Sequence, residues 1–550
     1  MSTQGKPDEL ANAIIARHES LKGERGNWDV AWDDVARYIL PRKGQILTKQ
    51  SPGQDQTTQL YDTTAEESAL IGAAGLLSQL VPPGEPWMRY EPADPQASEE
   101  SKEKFAKATD RVLKAIYASN FYLAIHEDFI DALGFCTSNT YVEEGTKRLL
   151  NFVNIPVGTF CVAEDNEGMV DTVYREWQWT AKQIEQQWPD VTLPEEIAKC
   201  LGKGSTPKDW DKKFTIIQAV YPRRRGQWKQ GRVEGALREY ADVYVCKECK
   251  GVILESGFYE RPFAVSRLLR SNNEAYGRGP GLSVMPEIKM LNRAELDLIL
   301  AIETEVNPPW LMPEDGASRP DNRPNGVTYW DATNPNGKPE RIKSTARVDW
   351  AEMWTEKKRA RIRSAFFVDM FQMLNAPGVK EKEMTAREVA ERIREKLVLF
   401  SPMFARLVQE KLNPLLERVF NIMLRQGQFD DLGFEEGEAY EIAYTSKIAL
   451  ALKAANDTAL LELVDIAALL QPFDQRVGMM VDWAKAFRDT CQNRGMSATN
   501  LRTIAEVDKM VAQMQQAQQA MQAAQMAESV TGSIKNLGPD AQKQAMQAVA

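Results

Sequence analysis

Three stretches of the chain hold residue types that could do chemistry. Cys246-Lys247-Glu248-Cys249 has the spacing of half a zinc knuckle. A closed site needs two further N or S ligands. The chain offers only His18 and His126, both far away in sequence, while Cys136, Cys161, Cys200 and Cys491 stand isolated. A plain hairpin turn is the favoured reading, and no metal is expected. Gly202-Lys203-Gly204-Ser205 resembles the end of a phosphate-binding loop but lacks the upstream glycine that such a loop needs. Nucleotide hydrolysis is therefore not expected. With two histidines and no Gly-x-Ser-x-Gly, a nucleophilic triad has no support either. The acidic pairs Glu143/Glu144 and Glu435/Glu436 are adjacent in sequence, so their side chains point apart and read as solvated charges. No cofactor is expected, and the chain does not read as an enzyme.

The third stretch is the densest basic run, Lys357-Lys358-Arg359-Ala360-Arg361-Ile362-Arg363. On a helix these side chains cover more than one face. They could touch passing phosphates. They could also pair with a neighbouring helix, where Glu295, Asp297, Glu303 and Glu305 are suitable partners. Pairing is favoured, with phosphate contact kept open. A second basic cluster, Tyr221-Pro222-Arg223-Arg224-Arg225-Gly226, reads as a surface or interface turn.

These residues must be held by elements, and the stretch from Asn272 to Arg425 supplies the frame. It opens with the turn Tyr276-Gly277-Arg278-Gly279-Pro280-Gly281. A helix follows from Val284 to about Glu305, with Ile288, Leu291, Leu298, Ile299, Ile302 and Val306 at near 3.6-residue spacing. A Pro/Gly/Asn-rich excursion covers residues 307–346. A second helix, Asp349 to about Met370, returns with Trp350, Met353, Trp354, Ile362, Ala365, Phe366 and Met370 as its stripe. A loop around Asn375-Ala376-Pro377-Gly378 leads to a long helix. Thr385-Ala386-Arg387-Glu388 has the pattern of a capping box at its start, and Gly427 is a natural stop. About 40 residues at ~1.5 Å each would span ~60 Å. Pro402 and Pro414 should each kink or break that helix.

Upstream, residues 8–40 read as helical, interrupted at Gly23 and Gly26. A small-residue helix spans Ala65 to Leu80, where Gly72-Ala73-Ala74-Gly75 would admit another backbone. Trp87 to Tyr90 reads as a strand and 101–133 as a helix. Strand-like pieces follow at Tyr141-Val142, Phe152-Val153, Thr159–Ala163 and Met169–Trp177, the last two joined by an Asp165-Asn166-Glu167-Gly168 turn. Helices near Ala181–Trp188 and Pro194–Leu201 precede strands at Phe214–Tyr221 and Tyr240–Val245. Downstream come an acidic loop at 428–440, helices at 446–470 and 477–491, and a Gln/Ala/Met-rich segment from Met510. That segment reads as a peripheral helix with a frayed end. The fold class expected is α+β, predominantly helical.

The formal charge is −10 and the pI about 5.2, which makes a poor general DNA binder but leaves room for a surface that DNA can pass. Six cysteines in 550 residues form no dense framework, consistent with synthesis in a reducing cytoplasm. No signal-peptide layout opens the chain, and no run of 18 apolar residues suggests a transmembrane helix.

Taken in order, these segments resemble the portal, or head-to-tail connector, proteins of short-tailed bacteriophages. The resemblance is carried by Ser271 to Pro280 with the following Leu291-Asn292 helix, and by Met384-Thr385-Ala386-Arg387-Glu388-Val389. Leu76 to Tyr90, the Thr159 to Trp177 hairpin and the Gln/Met/Ala-rich tail extend it over nearly the whole chain. It implies a portal-type fold: an α+β wing at 1–283, stem helices at 284–306 and 347–371, and a clip between them at 307–346. A tunnel loop at 372–384, a long kinked wing helix at 385–427 and a helical crown at 428–550 complete it. It also implies a ring, typically of twelve subunits, at one capsid vertex of the virion. That ring would pass double-stranded DNA without reading its sequence, and would dock terminase, scaffold, major capsid protein and tail adaptors, with no membrane involved. On this reading the channel candidates are Asn375, Pro377, Gly378, Lys380 and Lys382 in the loop. Lys357, Lys358, Arg359, Arg361 and Arg363 would face the channel or a neighbouring subunit. Trp310, Arg323, Trp330 and Arg341 would contact partners from the clip, or pack within it. The alternative is another helical structural protein of the virion, internal or tail.

Overall fold

The computed structural model describes residues 7–44, 46–47, 53–94, 97–145, 148–202, 206–229, 231, 233–311, 321, 327, 329, 333, 340–342, 348–375, 401–434, 438–446, 507 and 509–521. Helices and strands are mixed throughout. In chain order they are α1 (Pro7–Tyr38), α2 (Thr64–Leu80), β1 (Met88–Pro92), α3 (Glu99–Ala118), α4 (Phe121–Gly134), β2 (Thr137–Glu144), β3 (Leu150–Asn154), β4 (Phe160–Glu164) and β5 (Val170–Thr180). Then follow α5 (Ala181–Gln187), α6 (Glu195–Leu201), α7 (Pro207–Trp210), β6 (Lys213–Pro222), β7 (Tyr240–Cys246), β8 (Gly251–Phe258) and β9 (Phe263–Arg267). The last are α8 (Pro280–Ser283), α9 (Met285–Val306), β10 (Trp310–Leu311), β11 (Glu340–Arg341), α10 (Val348–Ala365), α11 (Val368–Asn375), α12 (Asn413–Arg425) and β12 (Tyr440–Tyr444). The chain forms two compact units, Met1–Trp87 with Arg111–Phe434, and Met88–Asp110 with Glu435–Ala550.

The first unit holds a five-stranded antiparallel sheet in the order β4-β5-β6-β7-β8. Because alternate side chains leave opposite faces of a strand, β6 divides its residues between two cores. Ile217 and Ala219 pack with Val243 and Val245 against Ala11, Ile14 and Leu21 of α1. Phe214 and Ile216 pack with Cys246 and Ile253 against Ala181 and Ile184 of α5 and Ile197 of α6. The helix α1 runs unbroken through Gly23 and Gly26, which face open space, so the expected interruption is absent.

A second sheet, β3-β2-β9, stands on α4. The single helix expected over 101–133 is two helices. Asn120, between them, spends its amide on a strand instead: its Nδ2 donates to the Phe152 carbonyl at 2.7 Å, and its Oδ1 accepts from the Phe152 N–H at 3.0 Å. The Gly-rich turn before α9 lies backbone against backbone on the end of α4. A Cβ at Gly281 would collide with the Gly134 carbonyl, and one at Gly277 with the Cys136 carbonyl.

The helix expected over 349–370 is also divided. It breaks after Ala365 and restarts at Val368, with Phe367 at a φ of 62°. Both flanking aromatics, Phe366 and Phe371, are buried. The small face of α2 receives this break: a Cβ at Gly72 would lie 2.7 Å from the Phe366 carbonyl oxygen, and one at Gly75 would strike the Phe371 ring.

The long helix is described from residue 401 to Arg425, and its expected start near Thr385 lies outside the described residues. Val408–Leu412 forms a π-helical turn immediately before Pro414, which sits in the first turn of α12. The Asn413 N–H bonds to the Val408 carbonyl, so the register slips by one residue ahead of the proline. That slip turns Glu410, Lys411 and Leu412 inward together. Glu410 accepts from Arg267 of β9, from its backbone N–H at 3.0 Å and from its side chain at 2.9 and 3.1 Å. Lys411 pairs with Asp128 of α4 and donates to the Ala264 carbonyl at 2.8 Å. Ser138 and Thr140 of β2 complete the Asp128 site, each donating at 2.8 Å.

In the second unit β1 pairs antiparallel with β12, from Met88 opposite Tyr444 to Pro92 opposite Tyr440. The Tyr90 N–H donates to Thr109 Oγ1 at 2.9 Å, and Lys104 pairs with Glu438 at 2.7 Å. Residues 509–521 are helical, as the Gln/Ala/Met composition suggests. The helices expected at 446–470 and 477–491 lie outside the described residues.

Candidate functional site

The basic run lies on α10, which packs along α9. Arg359 is its hub. Its Nε donates to Asp62 at 2.9 Å, its Nη2 to Glu295 at 2.7 Å, and its Nη1 reaches Glu356 at 3.4 Å. Partial burial disfavours its charge, but Asp62, Glu295 and Glu356 outweigh that and hold its pKa above the usual value. Arg361 and Lys358 converge on Glu287 of α9, at 3.2 and 3.6 Å. Arg363 turns back to Glu356 at 3.0 Å. Lys357 is exposed and, among the described residues, makes no ion pair.

Glu295 is one of the four partners the sequence offered. Asp297 is taken by Arg293 of its own helix at 3.1 Å, and Glu303 and Glu305 are exposed near the end of α9. Three partners were missed, Glu356 of α10 itself among them. Glu287 carries a readable signal, because it lies eight residues before Glu295 and so on the same face. Asp62 carries none, since it comes from the segment before α2, 297 positions from Arg359. That segment is held by Asn292 of α9, which accepts from the Tyr61 N–H at 2.7 Å and donates to the Gln59 carbonyl at 2.8 Å.

The apolar stripe of α9 behaves differently at its two ends. Ile288 and Leu291 are buried. Ile299, Leu300, Ile302 and Val306 stay exposed, as do Trp350, Met353 and Trp354 near the start of α10. Trp350 and Val306 each leave 65% of their surface open. Exposed apolar groups this large and this close together mark a surface built to be covered.

Beyond α9, β10 and β11 form a two-stranded ribbon with Trp310 opposite Arg341. The Arg341 guanidinium lies 4.9 Å from the centre of the Trp310 ring, a cation–π contact. Arg323 and Trp330 lie outside the described residues. So do Pro377, Gly378, Lys380 and Lys382, while Asn375 is the last residue of α11. Cys246 and Cys249 meet at the β7–β8 hairpin, and among the described residues no group of three or more His, Cys, Asp or Glu could hold a metal ion.

Comparison with known proteins gives this arrangement a context. Residues 11–502 match the family described as bacteriophage head to tail connecting protein. The chain is 26% identical over 458 residues to a probable portal protein of Bordetella phage BPP-1, covering 80% of each. It is 25% identical over 497 residues to the portal protein of Salmonella phage epsilon15, covering 88% of each.

Proposed function

As the chain belongs to the bacteriophage head to tail connecting protein family and serves as a portal between head and tail, we propose that it works as a closed ring at one capsid vertex. In that ring α9 and α10 form the stem, the ribbon of β10 and β11 belongs to the clip, and the segment after α11 projects into the channel. The observation that carries this reading is the contrast on the paired helices. Their charges are largely satisfied within the chain, while Ile299, Leu300, Ile302, Val306, Trp350 and Met353 are left uncovered. A surface whose polar groups are already paired and whose apolar groups are open is suited to another copy of itself.

The charge balance fits a conduit. At −10 per chain, a ring repels phosphate overall and lets double-stranded DNA slide. A few cations touch the backbone transiently and carry no sequence information. Lys357, Lys380 and Lys382 are the residues we assign to that contact. Trp310, Arg323, Trp330 and Arg341 are assigned to the face that meets terminase and later tail proteins, because Trp and Arg concentrate binding energy at interfaces. Scaffold and major capsid protein would meet the outside of the ring.

Light scattering with negative-stain imaging of the purified protein tests the ring directly. Twelve chains of 62.0 kDa give a particle of about 740 kDa with a central hole. A monomer or dimer at every concentration and salt, unchanged by added scaffold, would refute it.

A further inference from the structure

The ring leaves one motif without a role. Cys246 ends β7 and faces Gly251 across the turn to β8. Lys250, at a φ of 51°, completes the turn into Gly251. The two Sγ atoms are 2.6 Å apart, and the Cys249 N–H also points at Cys246 Sγ at 3.4 Å. Cys246 is locked in the apolar cluster with Ile184, Trp188 and Phe214, whereas Cys249 is only half-buried. Cys200 of α6 borders the same cluster, but its thiol is bonded to the Glu196 carbonyl at 3.4 Å.

We propose that Cys246 and Cys249 are a redox-active dithiol that closes to a disulfide. The geometry is nearly set: the sulfurs need approach by only about half an ångström to reach the bonding distance of about 2.05 Å. The sulfurs are also electronically coupled. Hydrogen bonding from Cys249 lowers the Cys246 thiol, and the same contact with burial raises that of Cys249. The oxidant is a low-molecular-weight disulfide, RSSR. One thiol of the pair loses its proton to solvent and attacks RSSR, forming a mixed disulfide and releasing one thiol. The other then loses its proton and attacks the first sulfur. The Cys246–Cys249 bond forms, the mixed bond breaks, and the second thiol leaves. Two protein thiols are oxidised and one RSSR is reduced to two RSH. A chain made in a reducing cytoplasm and carried outside the cell in a virion would meet both redox conditions. That consequence rests on the portal reading, while the oxidation itself does not.

The test uses the full-length assembled protein and oxidised glutathione as probe. After oxidation, denaturation and alkylation, two of the six thiols should escape labelling, and the intact mass should fall by two hydrogens. Trypsin cuts after Lys247, between the two cysteines. A non-reducing digest should therefore hold the peptide ending at Lys247 joined to Glu248-Cys249-Lys250, and reductant should release it. Cys249→Ser should abolish the joined peptide, and Cys200→Ser should leave it unchanged. Continued labelling of both thiols, or a link from either to Cys200, would overturn the proposal. So would stoichiometric zinc in the purified ring, which would make the hairpin half of a metal site completed by another chain.

Discussion

Several ionisable side chains are buried, and burial disfavours the charged form of each, so an acid and a base respond to pH with opposite sign. Asp242 of β7 accepts from Gln218 Nε2 at 2.8 Å, yet burial pushes its carboxyl up to about 6. A carboxyl whose pKa is raised by folding favours the protonated folded state. Its contribution is complete below its unfolded value of 3.8 and is lost as pH rises through about 6. His18 has the opposite sign. Burial pushes it down to about 4, so its contribution is complete above 6.5 and is lost as pH falls through about 4. The two oppose each other across one window. We expect Asp242→Asn to remove the loss on the alkaline side. Relative to the parent it should gain up to about 3 kcal/mol between pH 4 and 7, read from paired thermal unfolding curves. An unchanged pH profile would show that Asp242 does not titrate there.

At the scale of elements, the pair α9 and α10 is joined by charge around Glu287 and Glu295 and left apolar toward the end of α9 and the start of α10. Arg359 holds three carboxylates from three segments, so reversing it to Glu would set like charges against Asp62 and Glu295. That change is expected to cost several-fold in soluble, assembled protein, and Glu295→Arg should restore part of the loss. Lys357→Glu, at an exposed position without an ion pair among the described residues, should leave assembly unchanged and alter the rate or extent of DNA packaging. Size-exclusion profiles of the two variants beside packaging assays separate these outcomes. Equal assembly defects in both would contradict the division of roles. The π turn before α12 is a second device of this kind. It absorbs the missing N–H of Pro414 and, by shifting register, brings Glu410 and Lys411 onto β9 and α4.

For the whole molecule, the ring we propose makes its passage from many copies of the chain. Removing residues 376–382 is expected to leave the ring intact and impair packaging or retention of DNA. Imaging the deletion variant checks the first outcome, and DNA content of particles checks the second. Failure of the variant to form rings would take the segment out of the channel and into the subunit contact.

Much of this was legible in the residues themselves. Local rules predicted α2, β4, β5, β6 and β7 closely, because each has its own period, and the turn at Asp165 to Gly168 has its own chemistry: Asp165 accepts from the N–H groups of Glu167 and Met169, and Gly168 takes a φ of +80°. The helices α9 and α10 were legible too, and the run of segments pointed to the family. Tertiary structure alone decided the rest. No period in 101–133 or 349–370 announces a break, since Asn120 is set by Phe152 and the break at Phe367 lies between Phe366 and Phe371, which meet the glycine face of α2. The partners of the basic run were half-readable: Glu287, which meets Lys358 and Arg361, and Glu295, which meets Arg359, share a helix face, whereas Asp62 arrives from a distant segment. The inward turn of Glu410 and Lys411 was not readable either, because two charged residues in a helix read as solvent-facing until buried partners offset their desolvation. Sequence patterns carry the interactions a residue makes with its near neighbours in the chain. Where the energy lies between segments hundreds of residues apart, only the folded structure brings the partners together.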